Sequence, residues 1–373
     1  VEGGGAYDDA QFGEGAGKAA DLQHLENIAR KIKEIAKTDK IIIEKSTVPV
    51  KAAETLKKIL HSGSNPVHFE ILSNPEFLAE GTAIKDMEDP DRVLIGSELT
   101  ENGLKARDEL VKLYRHWVPR ERIFTTDVWS SELSKLVANA FLAQRVSSIN
   151  AISAICEVTK ANVREVSQAI GMDKRIGSKF LNAGVGFGGS CFKKDILNLV
   201  YLAETYGLDE VAKFWSGVIE INDYQMERFV KRILAALFNT LVEKKIAVFG
   251  FAFKADTGDT RDAPAIYITK RLLQERALVT ITDPQALPEA KKDLEGLNGV
   301  KYAEDPYSAA EGAHAIAVIT EWQEFKKLDY KKIFDLMEKP AFIFDGRNIL
   351  NHEELFKIGF NVYPLGRPEM TNL

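Results

Sequence analysis

The sequence predicts an α/β protein built from two doubly wound lobes, the first incomplete, joined by an all-helical middle. Three observations carry this expectation. Short apolar runs alternate with amphipathic helical segments from about residue 20 to 127. A stretch from Trp129 to Thr159 then has neither Gly nor Pro, and alternation resumes at Lys244. Alternating strands and helices imply parallel sheets with helices on their faces.

In the first lobe, apolar Leu22, Leu25, Ile28, Ala29, Ile32, Ile35 and Ala36 place a helix over Asp21–Lys37. Lys40–Lys45 reads as a short buried strand. Ala52–His61 is a helix, His68–Leu72 and Arg92–Gly96 are strands, Asn102–Tyr114 is a helix and Ile123–Thr126 a strand. Residues 1–17, rich in Gly, Ala and acid, show no period and read as an irregular tail. The Trp129–Thr159 helix would be about 45 Å long. Being apolar on most faces, it should be buried on several sides, as at a domain junction or dimer axis. Helices over Val163–Ile170, Phe192–Tyr206 and Glu210–Leu237 complete the middle. In the second lobe, strands are expected at Lys245–Phe249, Leu278–Thr282, Val300–Ala303, Ala313–Thr320 and Ala341–Phe344. Helices fall at Ala265–Glu275, Lys331–Met337 and Glu353–Ile358, and Pro368–Leu373 reads as a frayed end. The divisions are thus 1–17, 18–127, 128–240 and 241–373.

A net charge of -6 over 373 residues argues against a nucleic-acid or membrane-surface binder, though not against a local basic pocket for a phosphorylated ligand. No apolar run reaches the roughly 18 residues of a membrane span, and the first residues lack a signal-peptide pattern. Two cysteines form no disulfide framework, so a cytoplasmic location is expected. The six histidines lack metal-ligand spacing, and no metal site is expected.

The most informative stretch is Gly184-Val185-Gly186-Phe187-Gly188-Gly189-Ser190-Cys191. Its glycines let the backbone approach a ligand closely. Ser190 is a candidate N-cap for the following helix. A thiol at a helix N-terminus meets the positive end of the dipole, which favours thiolate. Asp195 follows one turn later, where it could position water or a cation near the sulfur. These features make Cys191 a candidate nucleophile and leave Cys156, which has no such neighbours, as core. Ser131, Lys135 and Asn139 share one face of the long helix. That face is either solvated or meets a ligand, because an apolar helix does not bury such groups unpartnered. Ser46 and Thr47 follow a strand, where they either cap the next helix or face a ligand. Ser73–Gly81 follows another strand and reads as a turn with two carboxylates. Gly250–Arg261 has the strand, Gly-containing loop and helix layout of a phosphate-binding turn, without the dinucleotide glycine spacing. Arg347 lies just past a third strand end.

In this order, the segments Glu44–Pro49, Ser73–Lys85, Trp129–Asn150, Gly186–Asp195 and Gly250–Arg261 resemble the UDP-glucose/GDP-mannose dehydrogenase family from about Gly17 to Gly366. The wording Thr257-Gly258-Asp259-Thr260-Arg261 leans towards its UDP-glucose members, with GDP-mannose and UDP-N-acetylmannosamine dehydrogenases as related readings. The resemblance implies two Rossmann-like lobes and a two-step oxidation of UDP-glucose to UDP-glucuronate that reduces two NAD. Cys191 would pass through a thiohemiacetal and a thioester. Lys135 and Asp195 would handle protons and water, Lys135 also stabilising the oxyanion. Thr47 and Glu76 would position water, and Asn139 would hold the sugar. Phe77, Leu78, Ala79, Glu80, Phe180, Leu181, Phe187, Gly188, Phe253, Lys254 and Arg347 would line the UDP-sugar site. Arg175 would reach a neighbouring subunit's sugar in a dimer or larger homo-oligomer. Ser46, Thr47, Glu80, Lys194 and Arg261 would lie near the NAD. The family's Gly-x-Gly-x-x-Gly turn has no counterpart before Gly17, so the resemblance implies that the first half of the cofactor lobe is lacking. A catalytically impaired nucleotide-sugar-binding fragment is therefore the competing expectation.

Overall fold

The computed structural model describes residues 18, 21–63 and 66–373. The tail expected at 1–17 lies outside the described residues. The chain divides into two compact units, residues up to 140 with 194–215, and 141–193 with 216–373.

The first unit contains α1 (Gln23–Ile35), β1 (Lys40–Glu44), α2 (Ala52–Leu60), β2 (Phe69–Ser73), α3 (Ala83–Glu88), β3 (Val93–Ser97), α4 (Glu101–Tyr114) and β4 (Ile123–Asp127). Its sheet has the order β1-β2-β3-β4, with β1 parallel to β2 and β3 parallel to β4. The expectation of a wholly parallel sheet fails between β2 and β3, which meet antiparallel at Ser73 and Gly96. A parallel crossover needs a helix packed on the sheet face. The intervening α3 buries none of its residues and cannot serve as one. The expected burial of β1 also fails, because among the described residues β1 has a strand on one side only, with Ile41 42% and Ile43 39% exposed. Two apolar layers hold this unit. One joins Ala29, Ala53, Leu56, Leu60, Phe69 and Ile71, the other Leu72, Val93, Ile95, Ala106, Leu110 and Ile123.

Long helices follow: α5 (Val128–Thr159), α6 (Val163–Gly171), α7 (Phe192–Thr205) and α8 (Asp209–Ala236). The divisions between units fall inside α5, α7 and α8. The start of α5 sits unusually close to the first sheet because small residues face one another there. Ser73 donates its hydroxyl to Ser131 at 2.9 Å. A Cβ on Gly96 would stand 2.4 Å from the Ser131 Cβ and 2.8 Å from the Asp127 carbonyl oxygen.

The second unit carries β5 (Lys245–Phe249), α9 (Pro264–Gln274), β6 (Leu278–Thr282), α10 (Leu287–Asp293), β7 (Val300–Tyr302) and α11 (Pro306–Ala310). After them come β8 (Ala315–Val318), α12 (Tyr330–Leu336), β9 (Phe342–Asp345), α13 (His352–Ile358) and β10 (Asn361–Pro364). All neighbours in the order β10-β9-β8-β5-β6-β7 are parallel. This is the doubly wound arrangement, with its reversal of strand order between β5 and β8, where such folds bind ligands at the strand ends. The chain end is not frayed as expected. Val362 and Met370 exchange backbone hydrogen bonds of 2.8 and 2.9 Å, and the Asn372 amide donates to the Asn361 side chain. The short α10, α11 and β10 lack a readable period in the sequence and take their form from burial of Leu287, Ala290, Ala309, Ala310 and Val362.

Gly96→Ala should push α5 off the first sheet and cost about 1–3 kcal/mol, the usual penalty for overpacking. Thermal unfolding checks this, and an unchanged midpoint would contradict the close approach.

Candidate active site

In the first unit, one face of α5 settles the question that spacing left open. Ser131, Lys135 and Asn139 are all buried, the lysine 5% and the asparagine 8% exposed. Solvation is therefore excluded for this face, and each group has a partner. The Asn139 amide donates to Asp195 Oδ2 at 2.6 Å. The Lys135 ammonium lies 5.3 Å from the Phe77 ring centroid, and the Arg92 guanidinium stacks 3.7 Å from the same ring. Phe77 thus presents a face to two cations, as its ring quadrupole favours.

Asp195 is the fourth residue of α7 and is 2% exposed. Burial pushes its pKa up to about 6. Asn139, Lys135 and Lys194 pull it down, in that order, and Glu76 adds a small push upward. A carboxyl poised there exchanges protons near neutral pH. Glu76 and Phe77 are half-buried, Leu78 and Ala79 exposed, on the loop after β2. Glu80 is also half-buried. Ser46 and Thr47, half-buried after β1, do not cap α2 as one reading had it. Its N-cap is Lys51, without a side-chain cap of its own.

In the second unit, Cys191 is a free, exposed thiol immediately before α7. The Ser190 hydroxyl lies 3.6 Å from its Sγ. The glycine loop leading to it is laid on the turn after β5. The Gly189 amide donates to the Arg261 carbonyl at 2.8 Å, and a Cβ on Gly188 would stand 2.5 Å from the Asp262 carbonyl oxygen. Asn222 of α8 pins the loop from the other side, accepting from the Phe187 amide at 2.8 Å and donating to its carbonyl at 3.1 Å. The side chains of Leu181 and Phe187 are buried, and the Leu181 carbonyl accepts from the Ser167 hydroxyl at 2.7 Å. Phe180, with a positive φ of 62°, is 41% exposed.

At the reversal point of the second sheet, Arg347 donates from Nε to the Ile319 carbonyl at 2.6 Å and pairs with Glu321 at 3.2 Å. Its Nη2 also donates to the Phe253 carbonyl at 3.4 Å, and Gly184 lies so near that a Cβ there would be 2.8 Å from Nη1. Phe253, Lys254, Arg347 and the glycine loop therefore gather at one sheet end. The Lys254 ammonium sits 5.6 Å from the Phe253 ring centroid. Two amides of the expected phosphate-binding turn are committed elsewhere. Phe251 and Ala252 donate to Asp283 at 2.6 and 3.1 Å, and Asp283 also accepts from Trp322, Gln285 and Ala286. The sequence reading missed Asp283 and Asn222, whose only signal was a polar residue at a strand end or within an apolar helix. Arg261 is exposed and forked onto Asp259, and Arg175, with a side chain 90% exposed, is likewise held by Asp173.

Family models for all three parts of one family match the chain. The NAD binding domain matches residues 13–118, the central domain 129–224 and the UDP binding domain 247–352. The chain is 57% identical to UDP-glucose 6-dehydrogenase 5 of Oryza sativa subsp. japonica, over 95% of its own length and 78% of the relative's. It is 56% identical to UDP-glucose 6-dehydrogenase 1 of Glycine max with the same coverage. The chain belongs to the UDP-glucose/GDP-mannose dehydrogenase family. Among solved structures, a UDP-glucose dehydrogenase from the archaeon Pyrobaculum islandicum superposes with a TM-score of 0.83 at 29% identity, covering 94% of this chain and 76% of the other. A UDP-D-ManNAc dehydrogenase from Pyrococcus horikoshii gives 0.78 at 26% identity, covering 94% and 78%. Both bear out the α/β class with a helical middle and two Rossmann-like lobes. The NAD-binding match begins among residues outside the described ones, where the glycine turn was sought.

The folded pKa of Asp195 lies above its ordinary 3.8, so the folded state holds a proton that the unfolded chain releases. Stability therefore falls as pH rises from about 4 to about 6, by about 3 kcal/mol at most. In Asp195→Asn this loss should vanish. The melting temperature of the variant minus that of the parent should grow from pH 4 to 7 and then level. A difference independent of pH would contradict the burial of a titrating carboxyl.

Proposed function

We propose that the chain oxidises UDP-glucose to UDP-glucuronate in two successive two-electron steps with NAD, Cys191 being the covalent carrier. The observation that carries this reading is 56–57% identity to plant UDP-glucose 6-dehydrogenases along 95% of the chain, together with an exposed thiol after the glycine loop. The same identity disfavours the non-catalytic fragment, and it favours UDP-glucose over GDP-mannose or UDP-N-acetylmannosamine as substrate. Residues 18–127 are read as NAD-binding, 128–240 as the self-associating middle and 241–373 as UDP-sugar-binding.

The donors present suit a dinucleotide. The strands β1 and β2 run parallel and end in loops with half-buried Ser46, Thr47 and Glu80, and strand ends of this kind present groups to nucleotides. Lys194 and Arg261 supply further positive charge. NAD, when bound, takes up a hydride from C6 in each oxidation. The chain's own residues do the rest. Asp195 receives the proton of the C6 hydroxyl, directly or through water, with the positive charge of Lys135 beside it. The Cys191 sulfur bonds to the aldehyde carbon, and the carbonyl oxygen takes a proton to give the thiohemiacetal. Loss of hydride and proton then leaves a thioester. Water positioned by Thr47 and Glu76 attacks the thioester carbonyl, the C–S bond breaks, and the thiol returns as the uronate departs. Lys135 stabilises the oxyanions, and Asn139 holds the sugar. Phe77, Leu78, Ala79, Phe180, Leu181, Phe187, Gly188, Phe253, Lys254 and Arg347 contact the nucleotide sugar.

The helical middle supports self-association. Trp129, Phe141, Ile155 and Val158 of α5, with Phe214 of α8, are large apolar side chains left 49–83% exposed, and such surfaces mark protein contacts. Arg175, exposed on the loop after α6, would then reach the partner subunit's sugar. A cytoplasmic site of action agrees with two unpaired cysteines and with the absence, among the described residues, of a helix long and apolar enough to cross a membrane.

Cys191→Ser should lower UDP-glucuronate formation by roughly 10³-fold or more, the scale of nucleophile removal, with any residual product stopping short of the acid. Chromatography of the products checks this, and full uronate formation would remove the covalent mechanism. The unsubstituted chain should yield two NADH per UDP-glucose and little from GDP-mannose. Tight UDP-sugar binding without NADH would sink the reading. Arg175→Ala should raise the KM for UDP-glucose while leaving kcat nearly unchanged. An unaltered KM in a protein that sediments as a monomer would count against the intersubunit role.

A further inference from the structure

Two acidic side chains with no part in the chemistry above are buried in the first unit, Glu44 at 4% and Glu132 at 2% exposure. Glu44 ends β1, three residues before Thr47. Glu132 lies on α5, one turn before Lys135. Neither carboxyl oxygen of Glu44 meets an N–H donor among the described residues, and its carboxyl faces that of Glu132 within hydrogen-bonding reach. Glu132 uses both of its oxygens, Oε2 accepting from the Lys51 amide at 2.7 Å and Oε1 from the Ala53 amide at 2.8 Å. Those amides open α2, and Lys51 holds the left-handed conformation, with φ 76°. L side chains adopt that conformation rarely. The cap that α2 lacks in its own loop is therefore supplied across 81 residues of sequence by a carboxylate on α5.

We infer that Glu44 and Glu132 form a buried carboxyl pair that locks the 45–51 loop, and Thr47 with it, against the helix carrying Lys135. The two are positioning residues. One end of the loop is tied where the Asn74 amide donates to the Glu44 carbonyl at 2.8 Å, and the other is tied at Lys51 by Glu132.

The charges fit one proton between them. Glu132 accepts two N–H donors and is the carboxylate. A second carboxylate beside it, out of water, would be repelled. Glu44 therefore keeps its proton, and burial first and the Glu132 charge second push its pKa up to about 9. The other charged groups facing the pair come from α2. Glu54 adds repulsion at Glu132 and is itself paired with Lys58 at 2.7 Å. The Lys51 ammonium lies over the Tyr206 ring, 5.6 Å from its centroid. Glu44 holds in the folded state a proton that the unfolded chain releases above 4.5. The lock therefore weakens as pH rises from there and opens once pH passes the folded value near 9. Thr47 would lose the position that the tied loop gives it over the same range. This catalytic consequence rests on the proposed role of Thr47, whereas the lock itself does not.

The test is hydrogen exchange of residues 45–55 in the full chain from pH 6 to 10, corrected for the intrinsic pH dependence of exchange. Protection of the Lys51 and Ala53 amides should fall about tenfold or more across the alkaline range, and in Glu44→Gln it should stay flat. Equal pH dependence in the two proteins overturns the inference. Should Glu44→Gln not fold, Glu132→Gln serves instead. Glutamine offers one acceptor oxygen, so exchange at these amides should rise several-fold at every pH, and unchanged exchange overturns the lock. In kinetics, the alkaline fall of kcat should move to higher pH in Glu44→Gln with little change in KM. Altered exchange with an unmoved kcat profile overturns the positioning role. Altered exchange in a chain that never oxidises UDP-glucose leaves the lock standing and removes the proposed function instead.

Discussion

The first unit depends on one constraint: α5 buries polar and charged groups, and each must find a partner where water cannot reach. Ser131, Glu132, Lys135 and Asn139 fall on successive turns of its first half and all are buried. Ser131 meets Ser73, Glu132 meets two backbone amides of α2, Lys135 meets an aromatic face and Asn139 meets Asp195. The same contacts that make the helix compatible with burial also fix the sheet, the loop after β1 and the start of α7 relative to it. Small residues at Ser73 and Gly96 make the close approach possible. Structure and chemistry are thus carried by the same side chains.

Burial also raises the pKa of Asp195. Desolvation raises it most, while Asn139 and the two lysines restrain the rise. The resulting value is about 6.

In the second unit the constraint is backbone proximity. The glycine loop, the turn after β5 and Arg347 meet where the strand order reverses, and Asn222 and Asp283 consume the amides that would otherwise be left unpaired there. The turn after β5 is therefore held from within.

Much of this was legible in the sequence. Periodicity located the long helices and the principal strands of both sheets, because a 32-residue helix and five-residue apolar strands leave strong patterns. The glycine run and its cysteine, and the Lys135–Asn139 face, stood out in the sequence because those residue types are costly where they stand. The antiparallel return of β3, the exposure of β1 and the tied chain end were not legible, since each depends on what a segment packs against. The same holds for the site. Sequence spacing determined that Ser131, Lys135 and Asn139 share a face, because helical geometry is local. Only the tertiary structure decided that this face is buried, that Asp195 is its partner and that Glu132 caps a helix 81 residues away, because desolvation and pairing depend on neighbours that chain order does not specify.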